Sequence, residues 1–214
     1  MVGRLMARQI SRRAVLAGLA IAAAAIPQAR AAAPRAAVLS AKDAQDVTRI
    51  QNYLNGIRTM QARFEQVADD GGVAYGTIYL DRPGRMRIVY DPPVPILIVA
   101  TSGQVYYYDS KLDQVSRTTI DTTPAWFLLR DPIKLGGDVT VLSFNRAADA
   151  LRLTMVETAN ADLGQVTLVL SDQPLQLRQW TVLDAQKKKV TVTLSDAQFG
   201  LVLNPNLFYW TDPH

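Results

Sequence analysis

Histidine is the side chain best suited to moving protons near neutral pH, and this 214-residue chain has one, His214, at its very end. Chain termini are seldom held firmly enough to keep catalytic geometry. Cysteine is absent. These two facts exclude Ser/His/Asp and Cys/His catalysis, a His-Glu-x-x-His zinc helix, thiolate zinc, a disulfide framework and a lipid-modified N-terminal cysteine. Asp69-Asp70 has the residue types of a catalytic acid pair or a calcium ligand pair, but adjacent acids leading into Gly71-Gly72 read as a solvated turn. Gly136-Gly137 reads the same way, and no phosphate-cradling G-x-G-x-x-G or G-x-x-x-x-G-K-[ST] occurs. Lys187, Lys188 and Lys189 follow Asp184-Ala185-Gln186 as a charged turn or edge guard rather than a phosphate site. Tyr106-Tyr107-Tyr108 supplies rings for stacking on bases or sugars, yet successive strand residues face opposite ways and split the trio. The chain reads as a binding protein: not an enzyme, with no metal, no cofactor and no nucleic-acid partner.

The formal charge of +4 supports that exclusion once the charges are located. Of 23 basic residues, five (Arg4, Arg8, Arg12, Arg13 and Arg30) lie in the first 33 positions, which hold no acid, so the rest of the chain sets 18 basic against 19 acidic residues. Residues 1–33 read as a cleavable export signal: a basic stretch, the apolar run Ala14 to Ile26, then Pro27 and Ala29-Arg30-Ala31, with cleavage after Ala31 or Ala33. The apolar run is shorter than the roughly 20 residues that span a bilayer. Ser11-Arg12-Arg13-Ala14-Val15-Leu16 resembles the twin-arginine motif, although paired arginines also occur in ordinary signals. Either route delivers residues 34–214 to the periplasm as one soluble domain.

That domain must place its apolar residues on two kinds of element. Ser40 and Asp43 form an S-x-x-D helix start, and Val47, Ile50, Leu54, Ile57, Met60 and Phe64 recur at helical steps, predicting one amphipathic helix over Ala41 to Phe64. Ten strand-like runs follow, near 73–80, 85–90, 96–100, 105–108, 114–120, 140–145, 151–156, 165–170, 175–183 and 190–194. So many short runs require hairpin-connected antiparallel sheet. Several alternate cleanly, such as Met86, Ile88 and Tyr90 against Arg85 and Arg87, so one face is apolar and needs covering. A second helical signal, Thr123 through Leu129 with Pro124 at its first position, is too apolar to stand in water.

Gln61-Ala62-Arg63-Phe64-Glu65-Gln66-Val67, a pattern x-A-x-F-x-Q ending a long first helix, resembles the LolA-type outer-membrane lipoprotein carriers. Later motifs agree in order: Gly76 to Arg87 with its Arg82-Pro83 turn, Gly103 to Asp109 followed by Asp113-Gln114-Val115, Thr122-Thr123-Pro124 to Leu129, and Asn204-Pro205-Asn206-Leu207-Phe208. The likeness spans about residues 43 to 213. It departs from the family pattern at Ser102, where an acid is common, and at Met86, where phenylalanine is common.

The resemblance implies a mainly β fold, an open antiparallel half-barrel with an apolar concave face and an α-helical lid. It implies a monomeric periplasmic chaperone that takes triacylated lipoproteins from an inner-membrane lipoprotein-releasing ABC transporter to an outer-membrane lipoprotein receptor. Arg82 matches the family's inward arginine that bonds the lid and latches the empty carrier. The acyl-chain cavity would then be lined by Met86, Ile88 and Tyr90, by Val105 and, on strand parity, Tyr107, and by Trp126 and Leu129 on the lid. A sensor of lipid or mislocalised lipoprotein, or a carrier of another lipid, on the same fold is the alternative. Such sensors usually carry a second domain, which favours the carrier.

Overall fold

The computed structural model describes residues 34–124 and 126–213. The segment 1–33, where the export signal is expected, lies outside the described residues, as do Ala125 and His214.

Helix α1, Ala41–Gly56, starts where expected: the Ser40 hydroxyl accepts the Asp43 N–H (3.2 Å) and donates to the Asp43 carboxylate (2.6 Å). Its buried stripe is Val47, Ile50 and Leu54. It ends at Gly56 rather than at Phe64, which corrects the sequence expectation. Ile57 turns extended, and strand β1, Thr59–Val67, buries Met60, Ala62 and Phe64 by alternation. A spacing of four is even, so Met60 and Phe64 satisfy a strand as well as a helix. Only Ala62, buried at the intervening position, separates the two periods. The x-A-x-F-x-Q pattern therefore sits on a strand.

The ten predicted runs correspond to β2 Val73–Asp81, β3 Arg85–Tyr90, β4 Ile96–Thr101, β5 Gln104–Asp109, β6 Gln114–Thr119, β7 Val139–Arg146, β8 Ala150–Glu157, β9 Gly164–Ser171, β10 Gln176–Asp184 and β11 Lys189–Phe199. All join one 11-stranded antiparallel sheet in the order β6-β5-β4-β3-β2-β1-β11-β10-β9-β8-β7. β11 runs five residues past its predicted end, through a bulge at Asp196 (φ +51°) opposite Ala62.

The sheet is open, and its two edges, β6 and β7, are consecutive in the chain. The segment between them must therefore cross from one edge of the sheet to the other. It crosses over the concave face and carries helix α2, Trp126–Leu129, all four of whose residues are buried. The sheet is also curled. With strands about 4.8 Å apart, β3 and β10 would lie roughly 19 Å apart if flat. Instead Ile88 of β3 and Trp180 of β10 line the same small cleft. The convex face over β3 to β5 is covered by the C-terminal segment: Phe208 is buried, Arg87 donates to the Leu207 carbonyl (3.3 Å), and Trp210 stacks on Tyr106 at 4.7 Å. Among the described residues no helix is long and apolar enough to cross a membrane.

Candidate functional site: a lidded apolar cleft

One turn of helix has no room for a polar face, so Trp126, Phe127, Leu128 and Leu129 are enclosed on every side. Phe127 meets Trp180 edge-on at 5.9 Å, and the Arg130 guanidinium lies 5.3 Å from the Trp126 ring centre. The Thr123 hydroxyl donates to the Ile120 carbonyl (2.9 Å), closing the 3₁₀ turn Ile120–Thr122 that leads into the lid.

Three hydrogen-bond groups fasten this crossing segment. The first centres on Arg82, at the β2–β3 turn and only 6 % exposed. It donates to the Leu54 carbonyl (2.5 Å) and the Ile57 carbonyl (3.2 Å) at the end of α1, and to the Arg130 carbonyl at the end of α2. Carbonyls in a helix's last turn lack intrahelical partners, which is why two helix ends meet at one guanidinium. Gly84 adds a backbone donor to the Leu129 carbonyl at 3.0 Å. Burial pushes the Arg82 pKa down, and the Asp131 carboxylate partly offsets it. Arg82 Nε has no partner among the described residues.

The second group binds the opposite half of the sheet. The Arg130 side chain donates to Glu157 of β8 (2.6 Å), and Asn160 donates to the other Glu157 oxygen (3.0 Å). Arg130 thus offers its carbonyl to one half and its guanidinium to the other. The third group ties the segment to α1: the Asn55 amide exchanges two bonds with the Ile133 backbone (2.9 and 2.7 Å), and Gln51 accepts the Leu135 N–H (2.7 Å). Gln51 and Asn55 were missed in the sequence. Their signal was an i, i+4 polar pair flanking the apolar stripe.

The cleft beside this cover is apolar and nearly filled, about 20 Å³, room for about one water, and its Trp180 wall is the ring that Phe127 of the lid packs against. Ile88 and Tyr90 line it, together with Phe64, Gln66, Ile78, Trp180 and Val192. Met86 and Val105 lie on the same face as closed core, and Trp126 and Leu129 are buried in the lid. Tyr107 shares the face of Val105 but sits at the open end, 42 % exposed. Phe64 was missed because it read as the last apolar residue of the helix and Gln66 because it fell just beyond that helix, and Trp180 and Val192 because strand order is not written in local periodicity.

The other sequence candidates lie apart from the cleft. Asp70 bonds the Gly72 N–H in the exposed β1–β2 turn, and Lys187 takes φ +64° in the exposed β10–β11 turn. Tyr106 and Tyr108 turn to the convex face beside Trp210. Among the described residues no group of three or more metal-binding side chains forms.

The family model described as outer membrane lipoprotein carrier protein LolA matches residues 55–211. An outer-membrane lipoprotein carrier protein of Methylococcus capsulatus is 26 % identical over 175 residues, covering 78 % of this chain and 83 % of that one. An uncharacterized protein of Rickettsia prowazekii is 26 % identical over 121 residues, covering 56 % of this chain and 57 % of that one. The crystal structure of a LolA superfamily protein from Nitrosomonas europaea aligns with TM-score 0.45 at 10 % identity, over 76 % of this chain and 97 % of that one. The family match runs from the end of α1 through the lid to the C-terminal segment on the convex face, and by it the chain belongs to the LolA family.

Proposed function

We propose that the protein is a periplasmic chaperone that carries lipoproteins from the inner to the outer membrane, holding their acyl chains against the concave face and making or breaking no bond. In this reading residues 1–33 are removed on export and residues 34–214 form the carrier. Cargo comes from a lipoprotein-releasing ABC transporter and passes to an outer-membrane receptor. The carrying observation is an apolar concave face whose cover is fastened at both helix ends by the buried Arg82, with Glu157 and the Asn55 clamp holding its other bonds.

The cleft has room for about one water, so cargo enters only if the lid moves. Burying an acyl chain is favourable by about 0.8 kcal/mol per CH₂, or roughly 12 kcal/mol for fifteen carbons. Full burial of three such chains would exceed the practical ceiling of about 18–21 kcal/mol for non-covalent binding. A charged hydrogen bond contributes about 1.5–3 kcal/mol, so breaking the Arg82 bonds and burying the chains only in part offset enough of the gain to allow release. In this role Arg82 is the latch of the empty state.

Native mass spectrometry of the mature protein purified from the periplasm, with lipid extraction and peptide mapping, tests the reading. Stoichiometric acylated peptides or intact lipoproteins are the expected result. Free phospholipid alone would reassign the cargo, and no bound hydrophobe in the presence of excess lipoprotein would favour the sensor.

A further inference from the structure

The cleft's lining is apolar except for one pair. Gln66 of β1 and Tyr90 of β3 both reach it, and the Tyr90 hydroxyl donates to Gln66 Oε1 at 2.8 Å. Tyr90 is wedged edge-on against Phe64, with ring centres 5.3 Å apart. Phe64 in turn lies over Gly76, where an added Cβ would come within 2.6 Å of the ring and 2.3 Å of the Val89 carbonyl. Gly76 is therefore required for this packing, and the edge-on ring contact with the Gln66 bond fixes where the Tyr90 hydroxyl points. Burial raises the Tyr90 pKa, so the phenol stays a neutral donor across the physiological range.

A polar pair within an apolar lining is costly unless its hydrogen-bonding capacity is used. Among the described residues the Gln66 amide N–H₂ donates to nothing. Flipping that amide would make Tyr90 Oη the acceptor and free the phenolic proton, so either arrangement leaves donors for a ligand and an empty place for an acceptor. Tyr107 stands beside Tyr90 on the same face, half exposed, which places the pair towards the open end of the cleft rather than its floor. A hydrocarbon has no acceptor to offer such a site. The carbonyl oxygen of an acyl linkage does, at the one place where an acyl chain changes from apolar to polar.

Building on the carrier reading, we propose that Gln66 and Tyr90 form a subsite for the carbonyl of an acyl ester or amide, setting how deep the chains of a lipoprotein enter. The chains occupy the apolar lining beyond the pair, and the linkage stops at it. The carrier thereby distinguishes acylated cargo from plain hydrocarbon and from ether-linked lipid of the same length.

The experiment compares two synthetic probes on the wild-type mature protein by displacement of an environment-sensitive hydrophobic dye: a dipalmitoylglyceryl-cysteine peptide and its dihexadecyl ether counterpart, which lacks the carbonyls. The expected result is about a tenfold preference for the ester, equivalent to about 1.4 kcal/mol, collapsing towards unity in Tyr90→Phe and in Gln66→Leu. Equal affinity of the wild type for both probes overturns the subsite while leaving the carrier reading standing. Failure of the wild type to bind either probe overturns the carrier reading and the subsite with it. Because the ligand is varied on the unaltered protein, the answer does not depend on either variant folding.

Discussion

The concave face divides into two unlike halves. Under α1, the strands β8 to β10 present Leu151, Leu153, Met155, Leu168, Leu170 and Leu177, all essentially without exposure. The helix is stitched over them by side chains along its length: Arg146 to Asp43 and Asp46, Arg49 to Asp172, and the Tyr53 hydroxyl, which accepts the Leu177 N–H. On β3 to β5 the equivalent row, Ile88, Ile98 and Tyr107, is half-buried to exposed. The cleft begins there. The same fold thus builds a sealed half that supplies stability and an open half that keeps apolar surface in reserve, joined by a crossing segment bonded to both.

The largest expected effect sets the two halves directly against each other. Leu168→Ala leaves a cavity in the sealed half and should cost about 4 kcal/mol in urea unfolding, whereas half-buried Ile88→Ala should cost about half that or less. Equal losses would erase the distinction. Arg82→Leu removes the guanidinium from the Leu54, Ile57 and Arg130 carbonyls, of which Leu54 keeps the Ile57 N–H (3.3 Å), and should destabilise the empty protein by about 3 kcal/mol. Because the closed state loses more than the loaded one, cargo should also become harder to hand over, and unchanged transfer to acceptor membranes would sink the latch. Glu157→Gln weakens only the β8 side of the lid, for about 1 kcal/mol, and should raise amide exchange at Trp126 to Arg130 more than in α1.

The smallest effects appear in acid. Asp91, held down chiefly by its hydrogen bonds from Arg63, and Asp43, held down chiefly by the Ser40 hydroxyl, both have pKa values below the ordinary carboxylate range. A depressed folded pKa gives stability that is present above the unfolded value, about 3.9, and lost as pH falls through the lower folded value. Asp91→Asn and Asp43→Asn should each flatten that acid limb slightly when melting temperature is followed from pH 5 to pH 2.

Much of this division was legible in the sequence. Runs of Val, Ile, Thr and Tyr between turn signals located ten of the strands, the capping serine located the start of α1, and the run Trp126 to Leu129 announced an element needing cover. The end of α1 was not legible, because Met60 and Phe64 fit both periods and only the small Ala62 distinguishes them. The cleft was half legible. Ile88 and Tyr90 follow from the alternation of β3, but Trp180 and Val192 reach the same space through the β1–β11 pairing, a contact between residues more than a hundred positions apart. The Asn55 clamp and the Arg130–Glu157 pair likewise join residues well separated in sequence, 78 and 27 positions apart.

Hydrogen exchange of the mature protein, empty and after loading with a diacylated lipopeptide, tests the central claim that the open half yields while the sealed half holds. Loading should increase exchange at Gly84 and at Trp126 to Arg130, where the lid bonds break. Amides of β8 to β10 and of the buried stripe of α1 should stay as protected as before. An unchanged pattern with lipopeptide bound, or loss of protection centred on α1 and β8 to β10, would contradict the account.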